Sequence, residues 1–286
     1  MKFRTEILIP HSGLELGLDD RTVLLGSCFS DNIGTRLADA GFNVLRNPFG
    51  TLYNPASIAS AVRRLDSGRP FTEADCVKMG AGSELICSFE HHTSFARESA
   101  QEFLDNANAR LQESRDFWKS CGKVVVTLGT AFVWKALERG GAVVSNCLKR
   151  PDREFAREML SAQECASLLQ DIIASHPDKE FIFTVSPIRH LSDGAHSNTL
   201  SKSTLHLAVD SAMAGARNAA YFPAYELMMD ELRDYRFWAK DMVHPSELAV
   251  DYIWEQFIAA HVPKKDLAGL RANEKSSLRA RHKPMK

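Results

Sequence analysis

The chain has 286 residues, 44% hydrophobic and 25% charged, which is enough for a full core and one large domain. A formal net charge of −1 excludes a whole-molecule field that would draw nucleic acid, and no run of about 18 apolar residues reads as a bilayer span. The start, MKFRTEILIPHSG, is basic but lacks the apolar run of a signal peptide, so a cytoplasmic location is expected, with the six scattered cysteines as reduced thiols.

In chain order, Thr22–Gly26 is a short apolar run that reads as a strand buried on both faces. Ser30–Ala40 follows at helical spacing, and Phe42–Leu45 is a second strand. In NPASIASAVRRL, Asn54 is the expected N-cap and Pro55 the first helical residue. Glu84–Phe89 is strand-like, and a long helix is predicted from about Phe95 to Trp118. KVVVTLG, Lys123–Gly129, is the strongest strand signal, followed by a β-rich excursion over Thr130–Leu137 and Ala142–Ser145 around the Gly140-Gly141 turn. SAQE, Ser161–Glu164, is a capping box that opens a helix ending near His176. Glu180–Val185 is another buried strand, Ser201 is the expected cap of a helix to about Asn218, and HPSELAVDYIWEQFIAAH is a last helix with Pro245 in its first turn.

Strands alternating with helices, the strands short and apolar, predict a three-layer α/β/α domain on a central parallel sheet. It is expected to span 1–262, with an insertion within 66–95 or 130–160. Residues 264–286 carry eight Lys/Arg against two Asp/Glu, and 263–286 reads as a flexible, solvated tail.

Sites on such sheets form at the carboxyl ends of the strands. Three of those ends carry chemically capable or conformationally special residues: Gly26-Ser27-Cys28, Gly129-Thr130 and Ser186-Pro187. A nucleophile between a strand and a helix sits beside free backbone N–H groups and the positive end of the helix dipole. Ser27 and Cys28 both occupy that position. In AKDMVHPSE, Asp241 stands three residues ahead of His244, a spacing that lets a carboxylate hold Nδ1–H and leave Nε2 free as a base. Adjacent His91-His92 lacks any metal-ligand spacing, and no metal is expected. Phe49, Phe95, Phe132 and Trp134 are candidates for either an acyl or sugar pocket or plain core.

GSCFS, NPFGTLYNP, VVTLGTAFVW, NCLK, VSPIRHL and DMVHPSE occur in an order that resembles the GSCFA-domain family, over roughly Thr22 to Ala260. That family is placed among the SGNH/GDSL-type hydrolases and acyltransferases, which implies a flavodoxin-like α/β/α fold. Aligned with the G-D-S of those enzymes, Cys28 falls at the nucleophile and Ser27 at the aspartate, so the resemblance favours Cys28. It also implies Asp241 and His244 as the acid–base pair and Gly50 as a backbone donor to the oxyanion. The third block normally supplies an asparagine. Here it reads Gly129-Thr130-Ala131, which leaves Thr130 or Asn146 as replacements. Arg189 and His190, at a strand end, are candidates for a substrate carboxylate or phosphate, with Asn198 and Lys202 as further substrate contacts.

The function expected is acyl-ester hydrolysis or O-acyl transfer through a covalent acyl-enzyme, on a carbohydrate-like or small acyl substrate. No resident cofactor is expected, with acyl-CoA a reasonable acyl donor. The alternative is a ligand-binding module on the same fold, favoured by the absent asparagine.

Overall fold

The computed structural model describes residues 4–9 and 13–281. Residues 1–3 of the basic start and 282–286 of the tail lie outside that range. The chain runs β1 (Arg21–Gly26), α1 (Cys28–Asp39), β2 (Asn43–Arg46), α2 (Pro55–Ser67), β3 (Val77–Lys78), β4 (Ile86–Cys87), α3 (Ala100–Ser120) and β5 (Lys123–Leu128). It continues with β6 (Phe132–Ala136), β7 (Ala142–Val144), β8 (Phe155–Met159), α4 (Ala162–Ser175), β9 (Glu180–Val185), α5 (Ala195–Met213) and β10 (Ala219–Tyr221). The last elements are α6 (Ala224–Glu226), which passes into a π-helical turn at Leu227–Leu232, then α7 (Glu247–His261) and α8 (Leu267–Arg281).

Five strands form one parallel sheet in the order β10-β9-β5-β1-β2. Alternation along β1 sorts the two faces. Val23 and Leu25 pack with α2 to α5, whereas Leu24 packs with Phe29, Ile33 and Leu37 of α1 and Ile253 and Phe257 of α7. The result is the predicted three-layer α/β/α arrangement. β1 lies between β2 and the central strand β5, and the connections after β1 and β5 leave toward opposite faces of the sheet. That reversal opens a crevice at the carboxyl edge between β1 and β5.

Between β5 and α4, the chain folds as a separate antiparallel sheet in the order β7-β6-β8. The strand pairing described within segment 66–95 is the two-residue ladder of β3 with β4, flanked by 3-10 turns, so the Glu84–Phe89 strand shrinks to Ile86–Cys87. Phe95 lies in a 3-10 turn, and α3 starts at Ala100 with Ser99 as its cap.

Ser201 is not a cap. It lies inside α5, which begins after Gly194, and its Oγ accepts from Ala131 N at 2.8 Å. The hydroxyl is spent on a contact distant in sequence, so it does not end the helix. Pro245 likewise stands outside α7, whose cap is Ser246.

The basic segment expected to be a flexible tail is helical over Leu267–Arg281. Leu270 is buried, Asn273 Nδ2 donates to Ala40 O at 3.0 Å, Ser277 Oγ donates to Asp39 O at 2.8 Å, and Arg281 pairs with Asp39. These donors satisfy the carbonyls at the negative end of α1. Among the described residues no helix is long and apolar enough to cross a membrane.

Candidate active site

The turn after β1 is built on a glycine that nothing else can replace. Gly26 has φ +141°, and a Cβ there would stand 2.1 Å from Thr127 O on the neighbouring strand. Its N–H donates to Asn47 Oδ1 at 2.9 Å, and Asn47 Nδ2 donates to Asp31 Oδ1 at 2.7 Å, so the β1 and β2 loops are tied together. Ser27 then caps α1. Its side chain is fully buried, and Oγ accepts from Phe29 N at 3.3 Å.

Cys28, the first residue of α1, is only partly buried. Its backbone N–H is among those a helix start leaves unpaired. Its Sγ lies 3.4 Å from Tyr53 Oη, which is also 3.2 Å from Thr51 Oγ1. Burial and the sulfur contact push the Tyr53 hydroxyl up to about 12, so it keeps its proton. The thiols of Cys87, Cys121 and Cys147 are pushed up to about 11 by desolvation, and that of Cys165 to about 12. They are protonated at neutral pH, and none lines the cleft that Cys28 faces.

His244 also borders that cleft. Its Nδ1 is 2.6 Å from Asp241 Oδ2, while Asp241 Oδ1 accepts from Val243 N at 2.9 Å and His244 N at 3.0 Å. Those bonds hold the Asp241 carboxyl down to about 2. With Nδ1–H donated to the carboxylate, Nε2 is left as the acceptor. The hydrogen bond between Asp241 and His244 that their three-residue spacing allows is formed.

Cys28 and His244 line one cleft of about 340 Å³. Phe132, Trp134, Val144, Ile188 and Val243 supply apolar wall, while Asn54, Thr130, Arg157, Arg189 and His190 supply polar groups. Phe132 and Trp134 thus face the cleft, whereas Phe49 is core and Phe95 borders a second cleft that Cys28 and Tyr53 also line. Arg157 makes a bidentate pair with Asp193 and lies over the rings of Phe132 and Trp134 at 4.8 and 4.6 Å.

Several expected roles do not fit this geometry. Gly50 N–H is consumed by Asn47 O at 2.8 Å, and Gly50 faces the second cleft. The glycine serves instead a backbone at φ +83° that passes close to His92. Asn146 does not line the cleft, although its neighbour Ser145 does; its Oδ1 accepts from Leu148 N within its own turn. Thr130 does line the cleft, but its hydroxyl is engaged by Phe132 N and Ser201 Oγ.

Asn198 and Lys202 are supports under the site. Asn198 Oδ1 accepts from His190 N at 2.8 Å. Lys202 is fully buried, and its Nζ donates to Gly129 O at 2.6 Å and Ser186 O at 2.7 Å, which ties the ends of β5 and β9. His190 does face the cleft, but burial and the nearby Lys202 and Arg157 charges push it down to about 4, so it is neutral. His91 and His92 diverge: His91 sits among Phe49, Phe71, Phe95 and Phe103, while His92 caps the Thr93–Phe95 turn.

Sequence reasoning missed Tyr53, Asn54 and Arg157 as lining residues. Asn54 was legible only as a cap, and indeed its Oδ1 accepts from Ser57 N at 2.8 Å. Spending the oxygen on the cap leaves the amide N–H groups of Asn54, a cleft-lining residue, as donors. Tyr53 and Asn54 both belong to the NPFGTLYNP block, whereas nothing in the sequence singled out Arg157.

No curated protein matches the sequence. The GSCFA family profile matches residues 21–257, from the start of β1 into the last turns of α7, and the chain belongs to the GSCFA family.

Proposed function

We propose that the chain is an SGNH-like acyl-ester hydrolase or O-acyltransferase that works through a thioester on Cys28. One observation carries this reading: Cys28, at the start of α1, opens onto the same cleft as a histidine whose Nδ1 is held by Asp241. His244 Nε2 takes the thiol proton as Sγ attacks the acyl carbonyl. The oxyanion is received by the Cys28 N–H and by the Asn54 amide, which stands in for the absent asparagine of the third block. Tyr53, its hydroxyl protonated and next to Sγ, donates to the thiolate and lowers its energy. His244 returns the proton to the departing group, and then activates water or an acceptor hydroxyl to release the acyl group. A small or carbohydrate-like acyl substrate suits the cleft size, and a thioester intermediate exchanges readily with a thioester donor such as acyl-CoA.

The test is intact-mass spectrometry after incubation with acetyl-CoA and with 4-nitrophenyl acetate. An adduct mapping to Cys28, lost in Cys28→Ser and accumulating in His244→Ala, is the expected result. Absence of any adduct on Cys28 would overturn the assignment.

A ligand-binding module is the second reading. It is favoured by the hydrogen bonding of Sγ, which goes to Tyr53 and not to His244. Ligand binding without turnover in the wild-type protein would establish it.

A further inference from the structure

The cleft beside Cys28 is lined by two arginines and two histidines and by no aspartate or glutamate. The two arginines are not equivalent. Arg157 is neutralised by its bidentate pair with Asp193 and fixed against two rings. Arg189 has no carboxylate partner among the described residues; its guanidinium lies over the Trp238 ring at 5.7 Å. A guanidinium held beside an aromatic face, half out of water and without a counter-charge, is a site for an oxyanion.

Its position indicates which half of a substrate carries that anion. Arg189 N donates to Val243 O at 3.1 Å, the carbonyl next to His244, and Trp238 pairs with Pro245 on the other side of the histidine. Arg189 is therefore tied through Val243 and Trp238 to the segment that carries His244. In the acyl-transfer reading, on which this inference rests, His244 handles the proton of the alcohol half.

We propose that Arg189 forms an anion subsite for the alcohol half of the substrate, clamping a carboxylate or phosphate it carries. In the release step the acceptor hydroxyl gives its proton to His244 Nε2 and its oxygen bonds to the acyl carbon. The bond from that carbon to sulfur breaks, and the proton passes to the Cys28 sulfur. The anion at Arg189 orients the hydroxyl for this step.

Full-length wild type, Arg189→Gln and Arg189→Lys are titrated calorimetrically with glycerol, glycerate and glycerol 3-phosphate, after thermal melts establish that each is folded. The same compounds are then offered as acceptors to protein acylated with 4-nitrophenyl acetate. At least one anionic compound is expected to bind more than about tenfold tighter than glycerol, with the preference between carboxylate and phosphate naming the group. Arg189→Gln is expected to erase that advantage and Arg189→Lys to keep part of it. Equal affinity for all three compounds, or an advantage that survives Arg189→Gln, overturns the subsite. If no acyl-enzyme forms but Arg189-dependent anion binding is present, the subsite stands and the acyl-transfer reading falls. If the acyl-enzyme forms on Cys28 and the three acceptors discharge it equally, the subsite falls and the nucleophile stands.

Discussion

Asp241 holds His244 twice, through Nδ1 at 2.6 Å and through the backbone N–H at 3.0 Å, so one carboxylate sets both the ring tautomer and the loop that carries it. Asp241→Asn separates the two roles. The amide oxygen can still accept from the backbone, but an amide N–H facing Nδ1 favours the wrong tautomer. Turnover on an activated ester is expected to fall on the order of 10²–10⁴-fold with little change in melting temperature. Because the Asp241 carboxyl is held down to about 2, its ionisation does not shape the pH–rate profile over any ordinary assay range. A fall of less than about threefold would remove Asp241 from the mechanism.

Ser27 and Cys28 are adjacent but do different work. Ser27 is buried and caps α1, so Ser27→Ala is expected to cost about 1 kcal/mol of stability in denaturant titration. The rate of thiol alkylation at Cys28 should stay within about threefold of wild type, since the helix start is retained. Lost covalent labelling in a folded Ser27→Ala protein would return the nucleophile to Ser27.

Gly26→Ala tests the turn itself. The new methyl group would meet Thr127 O at 2.1 Å, and that oxygen is backbone in the centre of the sheet. A loss of about 3 kcal/mol or more is expected, read as a lower denaturant midpoint or as insoluble protein. Near-native stability would mean that the strand end is not held this tightly.

Lys202 gives a pH signature. Burial pushes its amine down to about 7, and a neutral amine has two N–H groups, which match its two carbonyl acceptors. The unfolded chain keeps the proton up to about 10.4. Between these values the unfolded state binds more protons, so stability rises with pH; it falls again as pH drops toward 7. Wild type is therefore expected to gain on Lys202→Met by more than about 1 kcal/mol from pH 7 to 9.5, in chemical denaturation run at both values. A constant difference would show that the lysine stays charged in the fold.

How much the sequence revealed depended on how far each signal reached along the chain. The central strands β1, β5 and β9 were legible because burial on both faces leaves continuous apolar runs, and α2 because Asn54 and Pro55 mark its start. The start of α5 was not, since Ser201 satisfies Ala131, about 70 residues away in sequence. A polar side chain that serves a distant backbone looks, in sequence, like a cap. Helix α8 was hidden for a related reason. It buries Leu270, but its hold on α1 comes from Asn273, Ser277 and Arg281, whose partners Asp39 and Ala40 lie more than 230 residues earlier.

The sequence by itself determined the three-layer parallel architecture, the strand-to-helix turn at Gly26-Ser27-Cys28 and the Asp241–His244 hydrogen bond, because periodicity, turn glycines and short spacings act within a few residues. The tertiary structure alone decided which groups remain unspent at the site. Gly50 donates its N–H within its own turn, Asn146 is closed on Leu148, and Lys202 is buried under the strand ends, whereas Tyr53, Asn54 and Arg189 face the cleft. A hydrogen-bonding group is available to a substrate only if the fold leaves it without a partner, and that partner is found by the folded backbone, in a tight turn for Gly50 and Asn146 and at distant strand ends for Lys202.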